Sequence, residues 1–259
     1  MLFFIGQVFP YIAATVFIVG MVLRIGTWMK APVPFQITLF PTPSSTAGRV
    51  AAVSEELLLF KSLRRGDKQL WLWAWLMHVA LAMIIVGHLV GIYFLTHQFT
   101  LIGLSPTDSS KLSALLGIVA GTVFFVAILV LFYRRTAIPE VKRLSDPADY
   151  FDILLLVAIV VSGMHMRVTS IEVDLPAIRT YLGALMTFRP IPIPQEWVFV
   201  SHFFLVNILL IYFPFSKLVH MAGFLVNRAT IIEAPPVYPT PSGVKRDVRF
   251  KIGKGGNNA

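Results

Sequence analysis

Five apolar stretches, at 3–23, 71–95, 113–133, 151–168 and 197–226, constrain this 259-residue chain more than anything else in it. A hydrocarbon core of about 30 Å takes about 20 apolar residues of helix, and each backbone N–H and C=O inside it needs a partner within the protein. A helix meets all those bonds within one segment. The chain is therefore expected to be all-α, an integral membrane bundle of about five transmembrane helices, with the fourth stretch the short one. Its 14% charged residues and mean hydropathy of +0.76 agree, since soluble domains carry about 25% charged residues. No basic residue precedes the first apolar run and Arg24 follows it, so residues 1–23 read as an uncleaved span rather than a signal peptide.

Lysine and arginine set the orientation. Seven lie between Arg24 and Lys68, four in 134–150 and seven from Lys217 onward. The opposite side holds only Lys111, Arg167, Arg179 and Arg189. The positive-inside rule then puts the N-terminus outside and the C-terminus in the cytoplasm. The expected organisation is a transmembrane domain over 1–230 with a cytoplasmic loop at 24–70, followed by a cytoplasmic tail at 231–259. The loop opens with a Pro-rich extended stretch (31–50) and continues into a short interfacial helix with a basic end, EELLLFKSLRR. The tail, Pro-rich and then Gly-rich and basic, either docks on a cytoplasmic partner or is a disordered connector. The net charge of +9 lies in these loops and the tail, where it meets anionic lipid rather than nucleic acid.

Four of the six histidines lie inside the apolar stretches: His78 and His88 in the second, His202 and His220 in the fifth. Imidazole is costly in hydrocarbon, so a histidine there points to function. Ten residues correspond to about 15 Å of helix rise and eighteen to about 27 Å. Eighteen is five turns, which sets His202 and His220 on one face, whereas ten leaves His78 and His88 about 80° apart around the axis. Helix tilt and a kink near Pro214 absorb part of the difference. The mean, about 21 Å, suits two haems stacked across a bilayer. Antiparallel spans fix the pairing: His78 with His220 at an inner haem, His88 with His202 at an outer one. Gly87 and Gly91, beside His88, leave room for a porphyrin, and close helix packing is the other explanation for them.

The remaining histidines read differently. His97 sits at the aqueous boundary and is a surface residue; His165 lines a quinone pocket, holds a propionate or is an interfacial side chain. Arg64, Arg65, Lys68, Arg134 and Arg135 are either inner-propionate contacts or ordinary positive-inside charges. With no cysteine, covalent c-type haem, iron–sulfur clusters and thiol chemistry are excluded from this chain. Any electrons here travel on a non-covalent cofactor to or from another subunit.

The segments WLWAWLMHVALAMIIVGHLVGI and SHFFLVNILLIYFPFSKLVHM resemble the cytochrome b subunit of respiratory nitrate reductase, the NarI family. Both histidine spacings match, with VGH at one ligand and FPFSKLVH at another. The resemblance implies two haem b groups with the same four iron ligands, and quinol oxidation near the outer one, with menaquinone or ubiquinone as the quinone. It makes Lys111 the loosely placed counterpart of a loop lysine that serves that family. Lys111, His165 and Arg167 are accordingly the quinone-site candidates.

Two other stretches, RIGTWMKAPVPFQITLFPTP and MRVTSIEVDLPAIRTYLGALMTFRPIPIP, look more like the DsrM branch, membrane cytochromes of the Dsr complex of sulfur-metabolising prokaryotes. That likeness implies a quinone-oxidoreductase subunit in the cytoplasmic membrane, serving sulfur metabolism. Its partner would be a cytoplasmic iron–sulfur subunit resembling heterodisulfide reductase, with further membrane and periplasmic electron-transfer subunits, and the terminal substrate chemistry would lie in those partners. The gamma subunit of a nitrate reductase-type complex is the alternative. A redox-inert membrane anchor for a peripheral enzyme is another, although it leaves four membrane histidines without a purpose. A transporter fits poorly, because the thirteen acidic residues lie in loops or at span ends, with Asp152 the nearest to a membrane interior.

Overall fold

The computed structural model describes residues 1–30, 45–94, 97–168 and 174–232. The expectations for the extended loop over 31–44 and for the tail from 233 lie outside the described residues. Among those described, the chain is helical without strands, as the apolar runs require. Its helices are α1 (Phe4–Lys30, opening in a π-helical turn), α2 (Thr46–Leu59), α3 (Lys61–Gly66), α4 (Lys68–His88), α5 (Pro106–Ala137), α6 (Pro139–Arg143), α7 (Pro147–Val168), α8 (Leu175–Met186), α9 (Trp197–Tyr212) and α10 (His220–Ile232). Five helical stretches are long and apolar enough to cross a membrane: Phe4–Lys30, Lys68–Gly91, Pro106–Ala137, Pro147–Val168 and Trp197–Phe215.

Polar caps at the ends of the apolar runs start the long helices. Asp67 accepts the Leu70 N–H at 2.9 Å ahead of α4. Ser105 accepts the Asp108 N–H at 3.1 Å ahead of α5, and Pro106 occupies the first helical turn, where its missing donor costs nothing. The fourth span is not short. It has 22 residues because Pro147 opens α7 one turn ahead of the apolar run.

α4 packs along α5, α5 along α7, α7 along α9, and α9 along α1. Lipid is as apolar as leucine, so close backbone approach rather than hydrophobic transfer holds such helices together. Small residues line the seams: Ala13, Ala80, Ala120, Gly121 and Ala127 are buried. Ala80 of α4 and Val160 of α7 close on Phe124 and Ile128 of α5. Large residues such as Ile18, Val22, Val86 and Leu115 are exposed instead, forming the surface that meets lipid.

A second buried cluster surrounds α8. Asp174 caps this helix on the Ala177 N–H at 3.0 Å, and Phe188 turns the chain away with a φ of 57°. Ile178, Tyr181, Leu182 and Leu185 fall on one face by their helical spacing, and they pack with Ile193 and Phe199. The Tyr181 hydroxyl donates to the Gly6 carbonyl at 2.6 Å, and the Tyr11 hydroxyl to the Leu185 carbonyl at 3.0 Å. These bonds tie α8 to the start of α1. At 12 residues, α8 does not span a membrane.

The fifth apolar stretch is not one helix, which corrects the expectation of a continuous 197–226 span. α9 stops at Tyr212; a 3-10 turn (Phe213–Phe215), an extended Ser216 (φ −96°, ψ 173°) and a second 3-10 turn (Lys217–Val219) precede α10. Pro214 is the cause, since it has no N–H for the helix ladder and its ring crowds the preceding turn. A Cβ on Gly20 of α1 would stand 2.7 Å from the Pro214 Cβ, so glycine is required where α1 crosses this break. His202 and His220 thus belong to separate helices, and five-turn periodicity does not relate them.

Candidate functional site

The fold brings the four apolar-stretch histidines together as two pairs. The His78 ring centre lies 5.8 Å from that of His220, with the ring planes at 81°. Those of His88 and His202 lie 6.4 Å apart at 17°. α4 supplies one member of each pair; α9 supplies His202, and the break at Pro214 delivers His220 at the first residue of α10.

Each ring is oriented through Nδ1. The nearest backbone carbonyl is Ala74 at 2.7 Å for His78, Ile84 at 2.7 Å for His88, Ile159 at 3.1 Å for His202 and Lys217 at 3.0 Å for His220. A carbonyl only accepts, so Nδ1 carries a proton in all four rings, and in a neutral ring so bonded the lone pair lies on Nε2. That tautomer ligates a metal through Nε2 while its other nitrogen is anchored.

Local packing reinforces the His78–His220 pair. Trp71 and Trp75 donate their indole N–H groups to the Leu59 and Leu58 carbonyls, each at 2.8 Å, and so bind the end of α2 to α4. Glu56 accepts from the Ser62 amide across the corner at 3.0 Å. Between α2 and α3, Phe60 adopts a left-handed conformation (φ 49°) and sets its ring edge-on to His78, 5.1 Å centre to centre. Neither Phe60 nor the contact is foreseen in the sequence, where LLLF reads as one more apolar turn.

At the same end, Lys217 has two roles. Its ammonium bonds Asp146 at 2.8 Å and Asp149 at 2.9 Å, while its carbonyl takes the His220 Nδ1–H. Arg135 adds a bond to Asp149 at 3.0 Å. The hydrogen bond from Lys217 holds the Asp146 carboxyl below the usual carboxylate range. The Leu70 amide, aided by Arg134, does the same for Asp67. Both carboxylates therefore stay charged across the neutral range, and their stabilising bonds are lost only as acid protonates them. Arg134 and Arg135 are thus committed to Asp67 and Asp149, and Arg64 lies over the Trp71 ring. Among the described residues, the cations Arg24 and Lys217 line a cavity of about 760 Å³ with His220, Trp28 and Tyr212.

The end that holds His88 and His202 is more dispersed. His202 rests on α7, where Ser162 Oγ lies 3.0 Å from its Nδ1. A methyl on Gly87 would meet nothing within 4 Å, so the α4 surface beside His88 is open there. A methyl on Gly91 would instead stand 3.6 Å from Gln98 Oε1, and the Gly91 carbonyl accepts from Arg179 at 3.1 Å. His165 sits against the Trp197 ring (5.5 Å), and Arg167 covers Gly117 on α5. Lys111 is exposed and faces Asp108 at 3.8 Å, and His97 is bound locally to Ser110 at 3.1 Å.

These pairs fit haem. A metal held by two imidazole nitrogens at about 2 Å each puts the ring centres roughly 6 Å apart, and the two pairs measure 5.8 and 6.4 Å. The donor set is a pair of imidazoles anchored at Nδ1, whose Nε2 would be the iron-binding atom of a haem.

Residues 58–232 match the nitrate reductase gamma subunit family. The chain is similar to the Hdr-like menaquinol oxidoreductase cytochrome b-like subunit of Archaeoglobus fulgidus, at 30% identity covering 84% of this chain and 76% of the relative. Its counterpart in Archaeoglobus profundus is 27% identical over 85% of this chain and 76% of the relative. The nitrate reductase gamma chain of Bacillus subtilis is 27% identical over 86% and 92%.

Proposed function

The chain belongs to the nitrate reductase gamma subunit family, a multi-pass redox subunit of a prokaryotic membrane complex, and from that we propose that it is a di-haem cytochrome b passing electrons between the quinone pool and a cytoplasmic iron–sulfur subunit. The observation that carries this reading is the double juxtaposition of His78 with His220 and His88 with His202, each ring anchored at Nδ1 and free at Nε2. Bound there, haem b supplies reversible one-electron chemistry at iron.

In this proposal, His88 and His202 hold the outer iron and His78 and His220 the inner one. The distribution of lysine and arginine sets the N-terminus outside. Oxidation of a quinol releases two electrons and two protons, and His165, Arg167 and the bonded Gln98–Ser113 pair (3.0 Å) are the candidates for docking its head group. Lys111 is the weakest member, since it lies exposed beside Asp108. Gly87 gives the porphyrin access to α4, and Gly91 serves beside it. Arg24 is the propionate partner proposed at the inner site, because it lines the cavity at His220. The similarity to two proteins named as subunits of an Hdr-like menaquinol oxidoreductase favours menaquinol and a heterodisulfide-reductase-like partner, the arrangement expected of the DsrM branch in sulfur metabolism. The loop 24–70 and the tail from 231 form the docking side for that partner, with the membrane domain over 1–230.

The test is reduction by a short-chain menaquinol analogue added to the oxidised, purified protein in detergent. The expected result is growth of the reduced b-haem absorption within the mixing time. An unchanged haem spectrum would contradict the quinone arm of the proposal.

A further inference from the structure

Three of the four paired histidines hand their Nδ1 proton to a carbonyl of their own segment, three or four residues back. His202 differs. Its acceptors lie on a neighbouring helix, at the Ile159 carbonyl (3.1 Å) and Ser162 Oγ (3.0 Å) of α7. The Ser162 hydroxyl proton is itself directed to the Ala158 and Ile159 carbonyls, each at 2.9 Å. Its oxygen therefore offers lone pairs, and His202 Nδ1–H is the donor. The next residue, Gly163, completes the seat: a Cβ there would stand 3.2 Å from His202 Cε1 and 3.6 Å from Nδ1. The first is tighter than ordinary van der Waals contact, so a methyl there would push the imidazole a few tenths of an ångström away from α7.

We propose that Ser162 and Gly163 form a seat on α7 that positions the His202 imidazole and lowers the reduction potential of the outer haem alone. The proposal rests on the reading of His202 as an iron ligand. An imidazole that gives its Nδ1–H to additional acceptors carries more electron density at Nε2 and favours the ferric state of the iron it binds. Among the described residues, His88, His78 and His220 have one carbonyl each and no serine at Nδ1, so the effect is confined to one ring of one pair. Because Ile159 and Ser162 belong to α7 while His202 belongs to α9, the same contact couples the packing of those helices to the potential.

The experiment is a redox titration of the purified full chain, wild type beside S162A, S162T and G163A, with EPR spectra of the oxidised samples. S162A should raise the midpoint potential of one haem and leave the other in place. S162T, which keeps the oxygen, should stay near wild type. G163A should shift the EPR signal of that same haem, because its methyl turns the ring away from α7. Unchanged potentials in S162A, a shift in the haem that H78A removes, or equal shifts in S162A and S162T would each overturn the proposal. Failure of the underlying reading looks different: wild type would lack a haem that H202A removes.

Discussion

Alanine at His202, or at His88, should lower the haem content of the purified protein from two per chain to one, and the haem that remains should be the same in both variants. Alanine at His78 or His220 removes the other. The expectation follows from the pairings: His88 with His202 at 6.4 Å, His78 with His220 at 5.8 Å. Losing one axial imidazole leaves an iron held from a single side, with nothing opposite it but the packing of the helices. Two ferric centres held so would be distinguishable, because ring planes at 17° and at 81° would split the iron d orbitals differently and give different EPR anisotropy. Haemochrome quantification with EPR of each single variant is the check. If H202A and H78A abolished the same signal, the pairing would be wrong.

Gly20 to alanine should be the most damaging single methyl in α1. The added carbon meets the Pro214 ring at 2.7 Å from Cβ and 2.9 Å from Cγ. Pro214 is fully buried and has no rotamer to retreat into, so α1 must move off the break that sets up His220. Overpacking of this kind costs about 1–3 kcal/mol. Gly26, six residues on in the same helix, is the control: a methyl there meets nothing within 4 Å, and alanine in a helix is favoured over glycine by about 0.5–1 kcal/mol. Thermal denaturation in detergent, followed by loss of b-haem absorption, should show G20A melting below wild type and G26A at or above it. G20A melting with wild type would mean that α1 does not rest on Pro214.

The sequence made the spans and histidine pairs legible for the same reason: both are one-dimensional signals imposed by lipid. A stretch of about 20 apolar residues has few uses other than crossing a bilayer, and a histidine inside it stands out against a uniform background. What stayed hidden depends on close approach in three dimensions. VSG at 161–163 reads as three more residues of a span, yet Ser162 and Gly163 seat His202. Phe60 reads as part of an apolar turn, yet its left-handed backbone sets it against His78. The helix break was half legible: Pro214 announced a kink, but the extended Ser216 and the restart at His220 depend on local backbone geometry that the apolar pattern does not carry. Helix α8 was invisible as a span, because an amphipathic stretch of 12 residues resembles a loop in a chain whose strong signals are twice as long.

The central claim is that two pairs of imidazoles each hold a haem iron. An optical redox titration of the purified wild-type protein, with pyridine haemochrome quantification on the same sample, tests it most directly. The account predicts two b haems per chain that titrate as separate one-electron steps. A folded, helical preparation without haem, or with a single haem that survives replacement of any one of His78, His88, His202 and His220, would contradict it.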